Sequence, residues 1–146
     1  MEAEDFQMIY SDSSVVRFKL ITPKMIRYDQ EEEEPMTEFP EGVEIEKFDK
    51  DMQVVSRITS NYAQYFDKQK KWIAKNNVIV VNQDGDSLKT EELIWEEGKE
   101  KIYSDQFVKI IRKDQIINGI GFESDQNMSN WEIKEVKGTL YMDVEE

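Results

Sequence analysis

The chain has 146 residues, with 19 Lys and Arg against 32 Asp and Glu, a net charge of −13, and neither Cys nor His. That census excludes thiol nucleophiles, imidazole acid–base catalysis, Ser-His-Asp and Cys-His triads, zinc fingers and haem ligation. With 38% hydrophobic and 11% aromatic residues, the composition is that of one folded acidic domain rather than a solvated tail.

The Lys and Arg residues are scattered among carboxylates from Arg17 to Lys137, so no basic stripe offsets the charge and nucleic acid is not an expected partner. A chain without Cys has no disulfide framework, which by itself leaves the compartment open. No apolar run approaches the ~18 residues of a membrane span, and Met1-Glu2-Ala3-Glu4-Asp5 does not read as a signal peptide.

In chain order, Val15-Val16-Arg17-Phe18-Lys19-Leu20 alternates as a half-buried strand should, with Val16, Phe18 and Leu20 on one face. Residues 1–10 are read as an N-terminal segment and residues 11–146 as a single domain. From Ile45 through Phe48, Met52, Val55, Ile58, Tyr62 and Tyr65 the apolar spacing is also that of a helix. The turn Asp49-Lys50-Asp51 and the β-branched cluster Val54, Val55, Ile58 and Thr59 favour strands there. Val78-Ile79-Val80-Val81 is apolar on both faces, and Phe107-Val108-Lys109-Ile110-Ile111 is a further strand. Turn signals fall at Pro23, Glu31 to Pro35, Pro40-Glu41-Gly42, Asp67 to Lys71, Asp84-Gly85, Gly98, Lys113-Asp114, Asp125-Gln126-Asn127 and Lys137-Gly138, the interval expected of many short strands.

An internal repeat organises these strands. Leu20-Ile21-Thr22-Pro23-Lys24-Met25, Ile58-Thr59-Ser60-Asn61-Tyr62-Ala63, Leu88-Lys89-Thr90-Glu91-Glu92-Leu93 and Ile117-Asn118-Gly119-Ile120-Gly121-Phe122 share the form apolar, x, small, x, x, apolar. The two apolar positions of each unit are an odd number apart, so strict alternation would put them on opposite faces. A bulge or bend at the small residue returns both to one side. A turn and a second strand with an aromatic follow each unit, making a hairpin of roughly thirty residues that cannot bury its own apolar face. Four such hairpins stack into an elongated two-sheet β structure.

Three segments then carry a resemblance: Thr90-Glu91-Glu92-Leu93-Ile94-Trp95, Lys101-Ile102-Tyr103-Ser104-Asp105 and Gly119-Ile120-Gly121-Phe122-Glu123-Ser124-Asp125. Together with Ser11-Asp12-Ser13-Ser14-Val15-Val16-Arg17-Phe18 and Phe39-Pro40-Glu41-Gly42-Val43, they resemble the LptC family of lipopolysaccharide transport proteins in its Bacteroides-like form, over about residues 8 to 135. The resemblance implies an all-β fold, a twisted open β-jelly roll of stacked antiparallel hairpins similar to the bridge protein LptA. It also implies a non-catalytic periplasmic carrier without cofactor or metal, whose partners are lipopolysaccharide, an inner-membrane Lpt ABC transporter and an LptA-like bridge protein. Family members carry an N-terminal membrane anchor before the β domain, so the expectation is a domain whose anchor lies outside this chain.

On that resemblance the repeated apolar positions Leu20, Met25, Ile58, Ala63, Leu88, Leu93, Ile117 and Phe122, with Trp95 beside Leu93, are candidates to line an apolar groove for lipid acyl chains. The competing reading is that they fill a closed core. The strand around Val16 and Phe18 and the strand around Leu140 and Met142 are candidate sheet edges for the transporter and the bridge protein; charges such as Asp143, Glu145 and Glu146 would protect an ordinary edge equally well.

Other features carry less. Trp72, Trp95 and Trp131 suggest a sugar-stacking platform, and with it the rival function of a β-sandwich carbohydrate-binding or adhesive module. Glu31-Glu32-Glu33-Glu34 reads as a solvated loop rather than a cation site. Gly119-Ile120-Gly121 lacks the helix and Lys of a nucleotide loop, and no carboxylate pair is singled out as a glycosidase dyad.

Overall fold

The computed structural model describes residues 1–12, 15–29 and 34–142, without the side chains of residues 12, 15 and 16. The acidic run Glu31-Glu32-Glu33 and the terminal Asp143, Glu145 and Glu146 lie outside the described residues. Within them the chain forms eleven strands and a single 3-10 turn, Glu97–Lys99. The strands are β1 (Glu2–Asp12), β2 (Val15–Tyr28), β3 (Met36–Phe39), β4 (Val43–Phe48), β5 (Val54–Ser60), β6 (Tyr62–Phe66), β7 (Lys71–Asn82), β8 (Ser87–Glu96), β9 (Lys101–Ile111), β10 (Gln115–Asp125) and β11 (Trp131–Tyr141). The helical period of residues 45–65 is spent on β4, β5 and β6, because sheet pairing on both sides satisfies the backbone that a helix would otherwise serve.

All pairing is antiparallel, and the long strands change partner halfway along. β2 pairs β4 through Phe18–Ile21 and β3 through Ile26–Tyr28. β7 pairs β6 through Lys71–Lys75 and β5 through Ile79–Asn82. Two half-sheets therefore face each other, sharing β1, β2 and β7 to β11 and joined along a row of corners. This is the twisted open β-jelly roll, and its core lies between the halves.

The corners fall where the repeat places its small residues. The ladder slips between Lys75 and Val78, between Thr90 and Ile94, and around Gly119 to Phe122, while Asn61 separates β5 from β6. At three of the corners a side-chain hydroxyl bonds a backbone carbonyl where the ladder is interrupted. Thr22 Oγ1 donates to Gly42 O at 2.7 Å, Ser60 Oγ to Tyr62 O at 2.9 Å and Thr90 Oγ1 to Phe107 O at 3.0 Å. The fourth corner uses glycine for want of room: a Cβ on Gly119 would come within 2.5 Å of Glu135 O.

The bends bring the odd-spaced apolar pairs to one side. Leu20 with Met25, Ile58 with Ala63, and Leu88 with Leu93 are all buried in one core cluster; in the fourth unit Phe122 is buried and Ile117 packs against the cluster. Two boundaries differ from the sequence reading. Lys137-Gly138 is no turn but a bulge within β11, opposite Asn118 and Gly119, and Pro23 sits inside β2. Residues 1–10 are no separate segment either: β1 pairs with β2 from Glu2 to Asp12.

That pairing corrects one edge assignment. Phe18 is not on a free edge, because β1 pairs with it on one side and β4 on the other, and Val16 is paired with Ser11 of β1; the N-terminal edge strand is β1. Phe18 points inward and stacks on Tyr10, ring centroids 5.0 Å apart. At the opposite end β11 pairs only with β10 among the described residues; Leu140 on this strand is 59% exposed, and Met142 follows the strand's last residue, Tyr141.

Candidate functional site

The two half-sheets do not close on each other everywhere. Near β1 they leave an apolar cavity of about 380 Å³, a size within the range of small-ligand sites, roughly 300–1,000 Å³. One half-sheet contributes Met25, Phe39 and Trp72, the other Phe18 and Leu20, and β1 lays Phe6, Met8 and Tyr10 along the side. Alternation explains the last three, since every second residue of a strand shares a face. β1 has no outer neighbour among the described residues, so Met8 and Tyr10 stay partly exposed and the cavity opens beside them.

The mouth is polar. Arg27 donates two hydrogen bonds to Asp67, at 2.6 and 2.8 Å, and one to Thr37 Oγ1 at 2.9 Å. Its guanidinium is held above the ordinary arginine value chiefly by the bond to Asp67. Glu97 accepts from Trp72 Nε1 at 3.3 Å and from Tyr65 OH at 3.2 Å. Burial pushes its carboxyl above the usual range, against those two bonds. Lys70 completes the rim. The arrangement suits a linear amphiphile, with hydrocarbon inside and polar atoms at the entrance; it holds no nucleophile paired to a base, and among the described residues no cluster of carboxylates is placed to ligate a metal.

Of the nine groove candidates, Leu20 and Met25 line this cavity. Ile58, Ala63, Leu88, Leu93, Trp95 and Phe122 are buried in the core, and Ile117 packs on the core at the far end. Trp72 rather than Trp95 faces the cavity, with Trp95 stacked behind it at 6.0 Å. The two are 5% and 4% exposed, so the three tryptophans form no sugar platform. Trp131 alone borders a second, shallow concavity of about 470 Å³, whose walls include Lys99, Lys101, Glu123 and Asp125.

Sequence reasoning missed Phe6, Met8 and Tyr10, whose alternation was the available signal, and Lys47. Lys47 takes an inward position on β4 and is 3% exposed. Its ammonium lies over the Trp95 ring and donates to Gln126 O. Burial lowers its pKa to about 7, against the favourable charges of Asp125 and Glu97.

The two half-sheets of the jelly roll thus enclose an apolar interior reachable from one side. The family model of lipopolysaccharide-assembly, LptC-related proteins matches residues 3–142, and the chain belongs to that family. It is thus a component of the lipopolysaccharide transport system, of a family whose β domains stand in the periplasm on the inner membrane. No curated protein matches the chain. Among the described residues no helix is long and apolar enough to cross a membrane.

Proposed function

We propose that this domain binds lipopolysaccharide through its acyl chains, taking hydrocarbon into the cavity beside β1 and passing it from the inner-membrane ABC transporter toward an LptA-like bridge protein. The observation that carries the proposal is the cavity itself, apolar within, charged at the rim and open along an edge strand. At ~0.8 kcal/mol per methylene, a dozen buried methylenes release on the order of 10 kcal/mol, enough to draw a chain from water without any fixed polar contact. Non-directional contacts also let the chain slide and leave. With 32 acidic residues against 19 basic ones, the surface offers the phosphates of the lipid little attraction, so the acyl chains supply the affinity. Movement is driven by the ATPase of the transporter at the inner membrane. The exposed edge β11, with Leu140 and Met142, is the strand offered to the bridge protein.

The test uses two neighbouring residues on β1. Met8 lines the cavity, while Ile9 is 60% exposed and, one residue on, lies on the opposite face. Met8→Glu weakens lipopolysaccharide binding by tenfold or more, about 1.4 kcal/mol, with the melting temperature kept; Ile9→Glu does not. Equal binding by the two variants would contradict the assignment.

A further inference from the structure

The gap between the half-sheets is open beside β1 but closed near β11, and the closing piece is a turn. Residues 126–130, joining β10 to β11, are polar except for Met128. That one residue is fully buried in the core, although its backbone is left-handed at φ 57°, a conformation that a long side chain adopts at a cost. The turn is folded on itself by the Asp125 carboxylate, which accepts from Ser129 Oγ at 2.6 Å, Asn130 N at 2.7 Å and Asn127 N at 3.3 Å. It hangs from one half-sheet and is fastened to the other: Asn82 Nδ2 donates to Met128 O at 2.8 Å, and Lys47 to Gln126 O. Trp95 Nε1 donates to Gln126 Oε1 at 3.0 Å.

We propose that the 126–130 turn is a displaceable plug, and that the space filled by Met128 is a second compartment for an acyl chain, joined to the cavity beside β1 when the turn swings out. The proposal rests on the lipid reading above. Three features support it. Methionine is unbranched and freely rotating, so the space it fills has the shape of a short alkyl chain. The attachments are a few hydrogen bonds that the freed groups remake with water, whereas a chain entering the compartment buries many methylenes. Finally, the closed state leaves polar groups poorly served beneath the plug. Lys47 has no ion-pair partner among the described residues, and Ser56 Oγ, on the residue paired with Lys47, has no hydrogen-bond partner there. Opening admits water or a lipid oxygen to both.

Hydrogen exchange on the unmodified protein, with and without lipopolysaccharide, tests this directly. The expected result is slower exchange in β1 and β2 around the cavity together with faster exchange at residues 126–130. A second arm exploits the lack of native Cys: maleimide labelling of Met128→Cys rises roughly tenfold with lipid, as expected when a ligand selects the open state, while Lys113→Cys is labelled equally throughout. Protection at β1 and β2 with residues 126–130 unchanged or slower would overturn the plug and leave the lipid reading standing. No change anywhere on adding lipid would overturn both.

Discussion

The Lys47 ammonium lies 4.2 Å from the centre of the Trp95 ring, inside the sandwich. A cation over an aromatic face is favourable, yet a buried lysine must shed its water, and here desolvation wins: the pKa falls from 10.5 to about 7. In the unfolded chain the amine stays protonated up to its ordinary value. Between these two values the unfolded state holds a proton that the folded state lacks, so stability falls as the pH is lowered through that window and levels off below about 7. Lys47→Met removes the titration, stabilises the protein by a few kcal/mol at pH 7, at about 1.4 kcal/mol per unit of difference, and flattens the dependence. Denaturant melts at several pH values check it.

Leu93 is buried in the core and Met8 sits at the cavity mouth, so the two should fail differently. Leu93→Ala costs roughly 2–5 kcal/mol of stability as a core truncation, while the protein that stays folded binds lipopolysaccharide as before. Urea unfolding beside a binding titration separates the two effects.

The first corner gives a third expectation. Gly42 has φ +99°, and a Cβ there would lie 2.5 Å from Ser60 O; its carbonyl accepts the buried Thr22 hydroxyl. Gly42→Ala therefore destabilises by on the order of 2–3 kcal/mol through strain. Thr22→Val loses about 1–3 kcal/mol by leaving a buried carbonyl unsatisfied. Thermal melts of both variants check the pair.

At the rim, Arg27→Met leaves the Asp67 carboxylate without its bidentate partner. Because Asp67 is partly solvated, the loss is about 1–2 kcal/mol.

The repeat made the fold legible because the relation it encodes is local: Leu88 and Leu93 lie on one strand, and Thr90 between them announces the bend that turns both inward. What the spacing left out was why those small residues carry hydroxyls, since Thr22 meets Gly42 only once β2 and β4 are apart in sequence but joined in space. β1 was only half legible: Phe6, Met8 and Tyr10 alternate, but Ile9 between them is apolar too and blurs which face is the cavity side. Lys47 reads as an outward residue by type, and Met128 as part of a turn. Both are inside for tertiary reasons, a turn reaching across the gap to close it, which no periodicity in either segment records. The cavity was half legible for the same reason: Leu20 and Met25 come from the repeat, while its remaining walls come from strands that meet only in the folded chain.

In the proposed function, acyl chains enter beside β1. A photo-crosslinking residue placed in cells at Tyr10, on the cavity side, should capture lipopolysaccharide, while the same residue at the exposed Lys109 on β9 should not. Equal capture at the two positions, or capture at Lys109 alone, would contradict the account.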